Sequence, residues 1–310
     1  MPNSQIESSA KPLQVKNSGD GIHVIVLDGF EEFIELLSGD HFRDRPEYVF
    51  RGHRDPGWKL LPSLYRYFQD SFADTSSPEV VLAAKQDAGI KTASIIRDFT
   101  LSLRGTQYLR SSHDRFLAIF ESQPNLHIKE LFKSVQGDAE LSATVFETWA
   151  LGQHHGLFTP LLDWSESPLV SLYFAFEKPD DREPTPEYRA VYALNRSLIR
   201  ERCSHADFER AQVAFVSPLT RYNYRLLSQR GLFTYAFDYR AMEDWIAEVF
   251  RGERLPALFR ILIPNRNQPE CLRWLNRMGI NPQTLFPDLI GFAAHSNQRF
   301  LDPLTDWKEL

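Results

Sequence analysis

Residues 159–176, Thr159-Pro160-Leu161-Leu162-Asp163-Trp164-Ser165-Glu166-Ser167-Pro168-Leu169-Val170-Ser171-Leu172-Tyr173-Phe174-Ala175-Phe176, read as an apolar strand, a polar turn and a helix. The apolar run ends at Asp163-Trp164-Ser165, where Asp163 and Ser165 are turn and capping types. Ser167 and Pro168 follow as an N-cap and N1 pair. A serine oxygen accepts from a free amide of the first turn, and proline has no amide to leave unpaired. The helix they open places Leu169, Leu172, Tyr173 and Phe176 on one buried stripe. Around this unit, His23–Leu27, Tyr48–Arg51, Tyr188–Leu194, Leu232–Phe237 and Phe259–Ile263 are short, β-branched or aromatic runs with the signature of strands. Helical spacing recurs after Asp28 (Phe30, Phe33, Ile34, Leu37), from Pro78 to about Phe132, over Leu141–His155, and over Gln268–Arg277 before Gly279. Long helices ahead of most strands predict an α+β domain rather than a regular βαβ alternation.

The chain has 310 residues and a formal charge of −6, with 43% apolar and 25% charged residues. That balance is globular. It argues against coating nucleic acid through bulk charge while leaving room for a local basic cleft. Twenty-three Phe, 11 Tyr and 6 Trp exclude disorder over most of the chain. Residues 1–20 read as a flexible tail, polar and without the apolar segment of a signal peptide, and residues 21–310 as a single domain. Cys203 and Cys271 belong to no metal-ligand or disulfide pattern, and no apolar stretch reaches membrane-span length. The expectation is a cytoplasmic protein with no membrane partner and no metal. Walker A, GxGxxG, GxSxG and HExxH motifs are all missing from the sequence, which removes the usual P-loop, Rossmann, α/β-hydrolase and zincin readings.

Three clusters carry the remaining chemistry. In Phe50-Arg51-Gly52-His53, an arginine closes an apolar strand and needs an anion, either an internal carboxylate or a bound phosphate. Gly52 lets a backbone approach closely, and a ligand is one reason for that. In the second cluster, Asp163 and Ser165 are either turn residues or ligand contacts, and Trp164 has the flat face that stacks on a nicotinamide or a base. The third, Asn223 to Phe233, concentrates hydrogen-bonding capacity in Asn223, Arg225, Gln229 and Arg230 before a strand. His154 and His155 are adjacent at a helix end, point in different directions, and read as hydrogen-bonding groups there rather than joint metal ligands.

The segments YVFRGHRDPGWKLLPSLYR, WALGQHHGLFTPLLDWSESPLVSLYFAFE and NYRLLSQRGLFTYAF, with Leu275–Ile280 and Thr284–Leu289, resemble the FRG domain, a bacterial family named for its Phe-Arg-Gly motif. The resemblance extends over roughly residues 25 to 295. A second resemblance, to ADP-ribosyltransferases, rests on Arg51, then Ser165 with LVSLYFAF, then Gln229 beside LFTYAF. It implies that Arg51 holds an NAD phosphate or ribose and that Ser165 orients NAD. It also implies that a late acidic residue steadies the oxocarbenium-like centre. Gln229 is neutral at that point, so the anionic role shifts to Asp163 or another carboxylate.

Together these readings predict an α+β fold with a helical N-terminal portion and a split or strongly bent mixed sheet forming a cleft. The catalytic set is Arg51, Asp163, Ser165 and Gln229. Phe50, Gly52, His53, Trp164, Tyr173 and Arg225 are the cofactor contacts, with NAD as substrate. The resemblance implies an effector, a toxin or antiviral component, that modifies a nucleic acid or a protein and is open to an inhibitor or antitoxin partner. A non-enzymatic nucleotide- or nucleic-acid-binding module, and a nucleotide or phosphodiester hydrolase using His53 or His154 as base, are the alternatives.

Overall fold

Three strands open the described chain: β1 (Val15–Asn17), β2 (Ile22–Val26) and β3 (Tyr48–His53), with helix α1 (Phe30–Ser38) before the last. The computed structural model describes residues 15–17, 19–39, 42, 47–73, 77–179, 184–204, 213–217, 224–236, 239–266 and 268–301. Asn223, Phe237 and the tail before residue 15 lie outside them. The first 20 residues are not all tail, because Val15–Asn17 pairs antiparallel with His23–Ile25 as an edge strand.

Helices α2 (Ser63–Ala73), α3 (Pro78–Ser102), α4 (Ser111–Ser122), α5 (Ile128–Val135) and α6 (Ala139–His154) follow without an intervening strand. The helical block therefore sits between β3 and the next strand, not at the N-terminus. Its apolar stripes close on Ile96, Phe116, Leu131, Val145 and Trp149, all fully buried. Strand β4 (Leu161–Ser165) and helix α7 (Pro168–Phe176) come next, then β5 (Tyr188–Asn195), α8 (Arg196–Ser204), β6 (Val213–Val216), α9 (Tyr224–Ser228) and β7 (Gly231–Ala236). The chain continues through α10 (Met242–Val249), β8 (Leu258–Pro264), α11 (Gln268–Arg277), α12 (Pro282–Leu285) and α13 (Leu289–Leu301).

Ser167 caps α7 as its sequence requires, its Oγ accepting from the Val170 amide at 3.4 Å. Asp28 does not cap α1. Gly29 holds that position, and the Glu32 carboxylate reaches back to accept from the Asp28 amide at 2.7 Å. Asp163, Trp164 and Ser165 are strand rather than turn, because alternation along β4 turns Asp163 outward between buried Leu162 and Trp164.

The eight strands form one mixed sheet, in the order β1-β2-β8-β5-β3-β4-β7-β6. The β2–β8 pair is parallel and joins segments more than 200 residues apart, whereas all other pairs are antiparallel. Helices α1, α7 and α11 cover one face around Phe33, Leu172, Phe176 and Phe259. Helices α8 and α10 cover the other around Ile199, Ile246 and Trp164. The sheet is continuous but nearly opens at its middle. Strand β3 pairs with β5 through six residues and β4 with β7 through five, yet β3 meets β4 only at Phe50↔Ser165.

Candidate functional site: the seam between β3 and β4

Beyond Phe50 the two strands part, and backbone groups that a ladder would pair are left to side chains. Arg51 serves one of them. Its NH1 donates to the Asp163 backbone carbonyl at 2.8 Å and lies 3.5 Å from Asp163 Oδ2. Its Nε donates to His53 Nε2 at 2.9 Å. The NH2 group has no protein partner among the described residues. A planar guanidinium held on two of its nitrogens keeps one orientation and offers the third. Burial lowers the Arg51 pKa, the Asp163 charge opposes that shift, and the group stays protonated at any physiological pH.

His53 is the rigid half of this pair. Burial first, and the Arg51 charge second, push its imidazole down to about 3. With Nε2 accepting from Arg51, the proton resides on Nδ1, which makes only a loose contact with the Trp58 backbone. The ring is neutral and its lone pair is engaged, so His53 positions Arg51 and is not available as a general base.

Asp163, on the opposite strand, is fixed by helix α6. Gln153, in the last turn of α6, donates from Nε2 to Asp163 Oδ1 at 2.5 Å, and its own Oε1 accepts from the Thr159 hydroxyl. The Asp163 side chain is 58% exposed against 20% for Arg51, so the carboxylate faces open space while its partner lies behind it.

A cleft of about 870 Å³ runs along this seam. Its walls carry six cations (Arg51, Arg54, Lys59, Arg66, Lys178, Arg225) against Asp163 and Glu177, an excess of four positive charges in a chain of net charge −6. Concentrating one sign of charge in a low-dielectric cleft draws anions into it. Some of these cations are already engaged. Lys59 pairs with Asp244 at 2.7 Å, and Arg225 with Asp288 at 2.8 Å. Arg66 and Lys178 have no side-chain partner among the described residues. Burial raises the Glu177 carboxyl pKa, with Lys178 and Arg54 opposing.

Nine of the ten residues expected at the site border this one cleft: Phe50, Arg51, Gly52, His53, Asp163, Trp164, Ser165, Arg225 and Gln229. Several do a different job from the expected one. A Cβ on Gly52 would stand 1.9 Å from the Ser171 carbonyl oxygen and 2.6 Å from the Ala175 amide, so this glycine admits helix α7 rather than a ligand. The Trp164 indole is 3% exposed in the core and donates to Thr234 Oγ1 at 2.9 Å, which leaves no face for stacking. Ser165 Oγ donates to the Gln229 carbonyl at 2.6 Å and accepts from the Ser167 amide at 2.9 Å, tying β4 to the turn before β7. Gln229 Nε2 donates to the Leu285 carbonyl at 3.1 Å, and Arg225 lies over Phe286 while paired to Asp288. Tyr173 does not reach the cleft. It is buried in the core on the α7 face of the sheet, burial pushes its hydroxyl pKa up, and the next residue, Phe174, lines the wall instead.

Two cleft residues escaped the sequence reading. Trp58 is 39% exposed, with the Arg54 guanidinium 5.4 Å from its ring, and it is the accessible indole that Trp164 is not. Its loop is held by Tyr192 Oη donating to the Pro56 carbonyl at 3.3 Å and by the Leu60 amide donating to the Glu243 carboxylate at 3.0 Å. Arg66 projects from the first turn of α2. Both lie inside the first motif-bearing segment, but only the folded loop turns them toward Arg51.

The described residues form a mixed α/β fold whose continuous sheet is joined at its centre by a single residue pair, with an arginine on one lip and an aspartate on the other. Residues 46–184, from just before β3 to beyond the end of α7, match the profile of the FRG domain. That stretch is shorter than the resemblance over residues 25 to 295, and it holds Arg51 and Asp163 but not Arg225 or Gln229. No curated protein and no solved structure matches the chain. Among the described residues no helix is long and apolar enough to cross a membrane.

Proposed function

We propose that the cleft binds NAD and transfers its ADP-ribosyl group, as an effector that modifies a nucleic acid or a protein. The observation that carries this reading is the pairing of a pre-oriented arginine with an anchored, exposed carboxylate in a cationic cleft of nucleotide size. Sites for such ligands commonly enclose about 300–1,000 Å³. The free NH2 edge of Arg51, with Arg66 nearby, suits the pyrophosphate, and the exposed Trp58 ring suits a nicotinamide or adenine face. In the reaction the nicotinamide–ribose bond breaks and nicotinamide leaves with the electron pair. Positive charge develops at the ribose carbon, where the Asp163 carboxylate offers compensation. The acceptor's nucleophile then forms the new bond to that carbon and releases its proton to solvent.

A second reading, a nucleotide-binding module without turnover, is favoured by the internal engagement of Ser165 and Gln229. One experiment separates the two. Purified protein is incubated with NAD while binding and free nicotinamide are both measured. ADP-ribosyl transfer predicts slow nicotinamide release to water even without an acceptor, abolished in Arg51→Ala and reduced roughly 10²–10³-fold in Asp163→Asn. NAD binding with no nicotinamide, alone or with cell extract supplying acceptors, identifies the module. Neither binding nor release refutes both.

A further inference from the structure

A second, smaller groove of about 210 Å³ also borders the Arg51–Asp163 pair. Arg51, Leu61, Arg66, Gln153 and Asp163 border both spaces, so the two meet at the same pair of side chains. The groove is too small for a whole small-molecule ligand, which takes ~300 Å³ or more, and has room for a single ring-sized group of a larger partner. One wall is Phe158, 52% exposed, and Tyr67, 64% exposed, stacks on it with ring centroids 6.1 Å apart at 24°. Large aromatic rings left this exposed have an unsatisfied hydrophobic face. Arg66 lines this groove together with Phe158 and Arg51, and its guanidinium has no hydrogen bond or ion pair among the described residues.

We infer that this groove takes the acceptor, and that the acceptor is a single-stranded nucleic acid whose unstacked base lies against Phe158 and Tyr67 with a flanking phosphate on Arg66. The inference rests on the ADP-ribosyl-transfer reading for the word acceptor, while the binding surface stands without it. Stacked aromatic rings beside an unpaired arginine are the combination that holds single strands, since every base has a π-face and every linkage a negative charge. A duplex does not fit the same chemistry, because its base faces are covered by their neighbours. An acidic peptide would satisfy Arg66 and leave the rings bare. The acceptor reaches the reacting carbon at the seam, because Asp163 and Arg51 border both spaces.

The test uses the full chain and a fluorescently labelled twelve-nucleotide single strand, DNA and RNA in parallel, read by anisotropy. The wild-type protein is expected to bind the single strand at least tenfold tighter than the matching duplex, with affinity falling as salt rises. The Tyr67→Ala/Phe158→Ala double variant is expected to lose roughly 10- to 100-fold. Its melting temperature should stay near that of the wild type, because both side chains are exposed. Equal affinity for strand and duplex, an unchanged double variant, or equal competition by a poly-glutamate peptide would overturn the inference. An NAD titration of the wild-type protein runs alongside. If NAD does not bind while the double variant loses the oligonucleotide, the transfer reading falls and the nucleic-acid surface stands. If NAD turns over and no oligonucleotide binds, the acceptor inference falls alone.

Discussion

Two arginines on adjacent strands, Arg189 of β5 and Arg51 of β3, show how one side chain can build a fold in one region and a site in another. Arg189 is fully enclosed, and its described contacts include three protein oxygens. NH1 donates to the Ala175 and Lys178 carbonyls at 2.6 and 3.0 Å, and Nε to Asn265 Oδ1 at 2.6 Å, with Phe176 beneath the guanidinium. Its charge is spent on the carbonyls at the end of α7, the interaction a helix C-terminus favours. Among the described residues Arg51 meets only His53 and Asp163, keeps an edge unspent, and faces a cleft. An arginine with its donors taken up by backbone is structural, whereas one held at an angle with a donor to spare is prepared for an anion from outside.

The largest expected effect lies on the structural side of this contrast. Arg189→Met leaves the Ala175 and Lys178 carbonyls without their donor in a region closed to water, and is expected to cost about 3–5 kcal/mol. In thermal unfolding at pH 7 that is a fall of roughly 6–10 °C. A variant that melts with the wild type would erase the distinction between the two arginines.

The next effect concerns His53, which couples Arg51 to acid stability. Its folded pKa of about 3 lies below the ordinary 6.5, so between those values the unfolded chain binds a proton that the folded chain does not. The stability this group contributes is complete above pH 6.5 and is lost as pH falls toward 3. Urea unfolding of the wild type and His53→Gln from pH 7 to pH 4 should show the wild type losing about 2–3 kcal/mol more than the variant. His113 and His127 are also depressed by burial and act in the same direction in both proteins, so the difference isolates His53. Parallel pH profiles would mean that His53 is not the neutral support of Arg51.

Local chemistry was legible in the sequence, and long-range assembly was not. Ser167-Pro168 starts α7 because capping is decided by neighbouring residues. Arg51 was conspicuous because a charge in an apolar strand demands a partner. The Asp163-Trp164-Ser165 strand was mistaken for a turn because polar residues alternate there with a buried indole, and composition alone hides which way each faces. Gly52 announced a close approach without saying to what, and the neighbour is α7. Trp58 and Arg66 carry no local signal of their own. They reach the site because the loop that carries Trp58 and leads into α2 and Arg66 is pinned at Pro56 by Tyr192 and at Leu60 by Glu243, each more than 130 positions from the residue it holds, and because the single β3–β4 pair leaves the seam open.

The smallest expected change in stability belongs to the residue at the centre of the account. Arg51→Ala removes donors from the exposed Asp163 and from His53, where water can partly substitute, and should cost no more than about 1–2 kcal/mol. Its effect on ligand should be far larger. Equilibrium unfolding and NAD affinity measured side by side on wild type, Arg51→Ala and Arg51→Lys test this directly. The account predicts near-normal unfolding with NAD affinity down about 30-fold or more in Arg51→Ala, and little recovery in Arg51→Lys, whose point charge does not reproduce the planar fork. Unfolding that collapses as in Arg189→Met, with NAD affinity per folded molecule unchanged, would contradict it and make Arg51 a second structural arginine.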